Sequence, residues 1–150
     1  MVTFIQIINP RLELHNYPLE IRKTVVPKTK EEKKKFNILA IPMFVILIVY
    51  LLGTITMAYS MHATRYSILF LHSFIVIMTW NIFDLLIMDW LIFCTITPKY
   101  LIIPGTEDND SYKDYRYHIN GSLGKGLILA IISITICSGV SWLILKLFIW

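Results

Sequence analysis

Apolar and polar positions along this chain fall into long blocks and do not alternate. Between Lys35 and Arg65 no residue carries a full charge, and the run from Asn37 to Tyr59 is apolar almost throughout. That run exceeds the ~20 residues a helix needs to cross ~30 Å of hydrocarbon. Its start is marked by Thr29-Lys-Glu-Glu32, a capping box with Thr29 as N-cap and Glu32 at the third helical position. The pattern predicts a helix that begins in water at Lys30–Lys35 and enters the bilayer near Phe36, with a first span over about 36–60. Pro42 removes one backbone donor inside it and is expected to kink it.

A second apolar block runs from Tyr66 to Pro98. As one α-helix of about 33 residues it would be roughly 50 Å long, more than a straight perpendicular span requires. Two spans do not fit, because Trp80 to Trp90 holds no Gly or Pro for a tight turn. The expectation is one long helix over about 66–98, tilted or overhanging the membrane, and ended by Pro98. A third span is expected over about 126–146, after the glycine-rich Asn120–Gly126, with Lys146 snorkelling outward. Trp142 and Trp150 suit an interfacial aromatic belt.

Two regions lie outside these blocks. Residues 1–28 contain Pro10, Pro18 and Pro27 and admit no long helix. They read as an interfacial arm, whose Val2, Phe4, Ile5, Ile7 and Ile8 would dock on the bilayer or the protein. The 99–125 loop carries Tyr100–Ile103 and Tyr115–Ile119 as possible short strands, with Asn120-Gly121 as a turn signal for a β-hairpin. The expected class is thus an all-α membrane protein: an arm over 1–28 and a three-helix transmembrane domain over 29–150.

Composition agrees. Hydrophobic residues make up 56% of the 150 residues and charged ones 16%, against about 25% charged in an ordinary soluble domain. Mean hydropathy is +0.63. A soluble chain of this size would be left with large exposed apolar patches. The net charge of +4 does not point to nucleic acid, because the fourteen Lys and Arg cluster beside the apolar blocks and no binding motif accompanies them. Anionic lipid headgroups suit such a distribution. Twelve basic residues lie in the arm, the first helical turns and the 99–125 loop, while only Arg65 and Lys146 lie on the other side. The positive-inside rule then puts the N-terminus and that loop in the cytoplasm and the C-terminus outside the cell membrane. The N-terminal apolar stretch lacks a leading basic region and an Ala-x-Ala site, so a cleavable signal peptide is not expected.

Candidate chemistry concentrates in the second block, which holds His72, Asn81, Asp84 and Asp89. A carboxylate in hydrocarbon is costly, so it faces protein or water and often marks function. Asn81 and Asp84 are spaced i, i+3 and share a face. Asp89 lies five residues beyond Asp84, about 140° around an α-helix, so the two do not form a ready-made pair. Asp84, with Asn81 and Asp89, is a candidate ion or proton site; a polar clamp for Asp84 and an interfacial anchor for Asp89 are the plainer alternatives. A lone His72 reads as packing, and His62 falls in the external turn.

The loop offers Tyr115, Arg116 and His118 as candidates for a lipid headgroup or substrate pocket, or as interfacial anchors. Glu107–Asp110 lacks the twelve-residue pattern of an EF-hand and reads as a solvated acidic loop. Gly121-x-x-Gly124-x-Gly126 is not a Walker motif. Cys94 and Cys137 lie inside apolar blocks with no metal or disulfide spacing. No metal or cofactor is expected. In the third block Gly126, Ala130, Ser133, Cys137 and Ser141 form a stripe of small residues suited to close helix packing, within this chain or against a neighbour.

The segment Asn81–Pro98, followed by Ile103-Pro-Gly-Thr-Glu107, resembles small, uncharacterised bacterial integral membrane proteins. The resemblance covers about residues 10–145 and implies neither an activity nor site residues. Three functions fit the residues. One is a non-enzymatic membrane protein working in a homo-oligomer or beside a partner membrane protein, with a buried carboxylate cation or proton site used in transport. A second is a membrane enzyme acting on a lipid or polyisoprenoid at the cytoplasmic interface through Asp84, Asp89 and His118. A third is a structural anchor for another complex.

Overall fold

The computed structural model describes residues 2–150. Regular structure among them is entirely helical. Three helices are long and apolar enough to cross a membrane: Lys30–Ala58, Tyr66–Ile96 and Tyr115–Phe148. By internal contacts the chain divides into two compact units. One comprises Met1–Met43 with Asp84–Asn120, the other Phe44–Phe83 with Gly121–Trp150.

The N-terminal arm contains no long helix because its prolines punctuate it. Helix α1 (Val2–Ile8) is followed by a 3-10 helix, Pro10–Asn16, in which Pro10 takes the first position and loses no hydrogen bond there. Pro18 then stands as N-cap of α2 (Leu19–Thr24). Helix α3 (Lys30–Ala58) starts at a true capping box. Thr29 N–H donates to Glu32 Oε2 at 2.8 Å, and Glu32 N–H donates to Thr29 Oγ1 at 3.1 Å. The same Glu32 carboxylate receives the Arg11 guanidinium at 2.7 and 3.3 Å, which ties the arm to the helix start. Helix α3 runs unbroken past Pro42.

The arm folds onto the segment that follows Phe83. Tyr17, Ile21, Phe93, Cys94, Leu101, Ile103 and Tyr112 form one buried core. Its centre is aromatic. The Tyr17 ring meets Phe93 edge-on at 5.2 Å and Tyr112 at 6.1 Å, geometries favoured by the ring quadrupoles. The hydroxyls are used as well: Tyr17 donates to the Leu101 carbonyl at 2.7 Å, and Tyr112 Oη accepts from Ile103 N–H at 2.9 Å. A smaller core of Ile5, Leu12 and Ala40 holds α1 and the 3-10 helix against α3.

The 99–125 region forms no hairpin, contrary to its turn and strand signals. Lys99–Leu101 and Asp110–Lys113 are short 3-10 helices and α5 covers Tyr115–Gly121. Asp114 is the reason for the last. Its Oδ1 accepts from Tyr117 N–H at 3.0 Å, an N-cap that starts a helix where β-propensity alone favours a strand. Gly121 sits at φ −64°, ψ −48°, inside the helix and not in a turn. The third spanning helix consequently begins at Tyr115, ahead of the glycines. A turn does form at Gly105, whose φ of +87° only glycine adopts freely.

In the other unit α4 (Tyr66–Phe83) packs on α6 (Leu127–Phe148). Leu69 and Ser73 of α4 and Ala130, Ile134, Cys137, Ser138, Ser141 and Leu145 of α6 are buried. Leu51 and Ile55 of α3 join Leu69, Cys137 and Leu145 in its apolar core. Small side chains let helices approach closely where lipid supplies no hydrophobic drive. Ser73 and Ser138 return their hydroxyls to Leu69 and Ile134 carbonyls at 2.9 and 2.7 Å. The outward faces stay apolar: Ile46, Tyr50 and Leu147 are about two-thirds exposed (68%, 67% and 68%). Helices apolar on every side belong in lipid.

Candidate functional site

The second spanning helix changes winding partway. Tyr66–Phe83 is α-helical, and Asp84–Ile96 is a π-helix of 13 residues. In a π-helix the ladder closes at five residues, so residue i+5 stands about one turn above residue i. Asp84 and Asp89, on divergent faces of an α-helix, therefore share a face here. The segment ends at Thr97, held at φ +45°. Its Oγ1 donates to the Phe93 carbonyl at 2.8 Å, and its N–H donates to Ile92 O at 2.9 Å.

Helix α5, started by Asp114, lays its side chains against this segment. Tyr115 Oη lies 2.9 Å from Thr95 Oγ1, and its ring meets Trp90 edge-on at 5.9 Å. One turn on, His118 Nδ1 lies 3.3 Å from Asp89 Oδ2. The imidazole is 6% exposed and stacks at 4.9 Å on Phe93. Its other nitrogen, Nε2, is buried with no hydrogen-bond partner, as is Trp90 Nε1. A carboxylate 3.3 Å from Nδ1 favours the tautomer that carries its proton there, which leaves the lone pair on Nε2.

The remaining candidates lie elsewhere. Asp84 is half-buried, and no hydrogen bond or ion pair engages it among the described residues. Asn81 Oδ1 accepts from Ser122 Oγ at 2.8 Å. A Cβ on Gly126 would stand 3.8 Å from Asn81 Nδ2 and 3.2 Å from the Gly121 carbonyl oxygen, a fit that favours glycine there. Arg116 and Tyr115 are exposed. Ala130, Cys137 and Ser141 are buried in α6, while Ser133 is only partly covered. His72 Nδ1 meets Tyr59 Oη at 3.2 Å. Glu107 accepts from Gly105 N–H at 3.0 Å, and Asn109 Oδ1 accepts from Ser111 N–H at 2.9 Å. That loop spends these polar groups on its own turns. No group of three or more His, Cys, Asp and Glu side chains that could hold a metal ion is found among the described residues.

A second polar cluster sits in the arm, on residues not singled out in the pattern of the chain. Glu13 is 1% exposed. Its Oε2 accepts from Asn16 Nδ2 at 2.8 Å and its Oε1 has no partner. Burial pushes its carboxyl up to about 7, against a pull downward from the Lys28 charge. Lys28 is lowered, first by burial, and donates to the Leu12 carbonyl while capping the Phe36 ring at 4.6 Å. His15 is lowered too, by burial and by the cations Lys28 and Arg22. The only sequence sign of Glu13 is its place between Leu12 and Leu14. Set against family models, curated proteins and solved structures, the chain matches none of them.

Proposed function

We propose that this chain is a small multi-pass membrane protein that binds and releases a proton at Asp89 and His118, with Asp84 as the neighbouring carboxylate, in the service of transport. It would work as a homo-oligomer or beside a partner membrane protein. The observation that carries this is the state of His118: Nδ1 faces Asp89 at 3.3 Å while Nε2 is buried and unpaired. A buried acceptor without a donor is costly. A proton arriving at Nε2 converts it to a donor and gives the carboxylate a full positive partner. The π-winding turns Asp84 and Asp89 toward one face of the helix, and π-turns inside α-helices are frequent at functional sites.

Reconstituted in liposomes with an interior pH dye, the parent protein should collapse an imposed pH gradient. His118→Gln and Asp89→Asn should each slow that collapse by about a hundredfold or more, the low end of the range for losing one acid–base group. A parent with no flux, or variants as fast as the parent, would refute the proton site.

Arg116 and Tyr115 favour a second possibility. Both are exposed on the short helix that buries His118, placed to meet a lipid headgroup while His118 acts as general base on a lipid or polyisoprenoid. Lipid turnover in the same vesicles, followed by mass spectrometry, separates an enzyme from a transporter.

We further propose that the N-terminus is cytoplasmic and the C-terminus external, in a bacterial cell membrane. The basic-residue bias of twelve to two supports the orientation. Asp110→Cys should react with an impermeant maleimide only after intact cells are opened, because Cys94 and Cys137 are buried and give no background. Labelling of intact cells would invert the topology.

A further inference from the structure

One face of α3 carries a shallow groove, wide open to its surroundings, lined by Lys34, Asn37, Ile38, Ile41 and Pro42. The spacing i, i+3, i+4, i+7, i+8 puts all five on one side of the helix. The side that carries Phe36, Leu39 and Ala40 is occupied, packed with Ile5 and Leu12. The groove face is bare: Ile38 is 60% and Ile41 59% exposed.

The groove is polar at one end only. Lys34 stands about two turns nearer the helix start than Pro42, roughly 12 Å along the axis, and Asn37 lies between them, roughly 7.5 Å from Pro42. Charge there is of one sign. Lys30, Lys33 and Lys35 flank Lys34 and are exposed. Of the two acids on these turns, Glu32 is engaged by Arg11 and by the cap, which leaves only Glu31 exposed. An ammonium and an amide donor above a strip of apolar wall, at the point where a helix passes from charged to apolar residues, match one amphiphile: a phosphate above an acyl chain.

We propose that this groove holds one anionic phospholipid, its phosphate on Lys34 Nζ and the Asn37 amide and an acyl chain along Ile38, Ile41 and Pro42. It is independent of the proton site. Native mass spectrometry of the full chain, titrated in detergent with phosphatidylglycerol or phosphatidylcholine of identical chains, tests it. The first lipid bound should be phosphatidylglycerol by about fivefold or more, the effect of a lysine beside an anionic headgroup. Lys34→Gln should abolish that preference, while Lys23→Gln, a basic residue on α2 outside the groove, should keep it. Equal binding of the two lipids, or a preference that survives Lys34→Gln, overturns the proposal. So does an Ile38→Cys variant that cross-links into a dimer at full yield with phosphatidylglycerol in excess, since a second copy would then be the occupant.

Discussion

Tyr17→Ala should cost about 3–5 kcal/mol, the range for removing a fully buried aromatic side chain. Tyr17 has no exposed surface and is the centre of the core that joins the arm to residues 84–120. Its ring contacts Phe93 and Tyr112, and its hydroxyl bonds Leu101 across 84 residues of chain. The loss falls on one unit, so it should show as protease cleavage within residues 99–114 while α4 and α6 remain resistant. Tyr17→Phe separates the two contributions. It keeps the ring and leaves the Leu101 carbonyl without its donor, at about 1–3 kcal/mol. Parent-like protease resistance in Tyr17→Ala would show that the arm is not held by this core.

The arm should also weaken as pH rises from about 4.5 to 7. Glu13 has its carboxyl pushed up to about 7 by burial. A raised acid binds its proton more tightly folded than unfolded, so its stabilising effect is complete below about 4.5 and is lost as pH climbs through 7. A shift from 4.5 to about 7 corresponds to about 3 kcal/mol. His15 works in the opposite sense. Its folded value is lowered, so it opposes folding as pH falls below its ordinary 6.5. The difference between the parent and Glu13→Gln isolates the carboxylate. Protease resistance of the arm, followed from pH 5 to 8, should decline in the parent and stay flatter in the variant. Parallel profiles would mean that Glu13 is ionised and satisfied at neutral pH.

Helices were readable wherever the signal was local. The apolar runs of the three long helices and the Thr29–Glu32 capping box need only neighbours within a turn to act, and each stands in the structure. The proline spacing of the arm likewise excluded a long helix there, and the arm holds only short ones. Tyr115–Ile119 misled because its β-propensity is weak beside a single cap: Asp114 fixes the first turn, and the helix continues through Gly121 into α6. The link between Asp89 and His118 depends on how a loop of intervening residues folds back, which no periodicity encodes. Nor does residue type distinguish i+4 from i+5 winding in a stretch as uniformly apolar as Asp84–Ile96. The burial of Glu13 was hidden for the same reason, since a lone acid between two leucines reads as a solvated position until the arm is seen to fold.

The π-winding has a mechanical consequence for length. Wound wholly as an α-helix, the 31 residues of Tyr66–Ile96 would measure about 46 Å, well beyond the ~30 Å of bilayer hydrocarbon. More residues per turn means less advance per residue, so thirteen residues in the wider coil foreshorten the helix along its own axis. Tilt and overhang are the usual answers to such surplus. Here part of the surplus is stored as girth, and a long apolar segment is fitted toward membrane thickness without a break in its backbone hydrogen bonding.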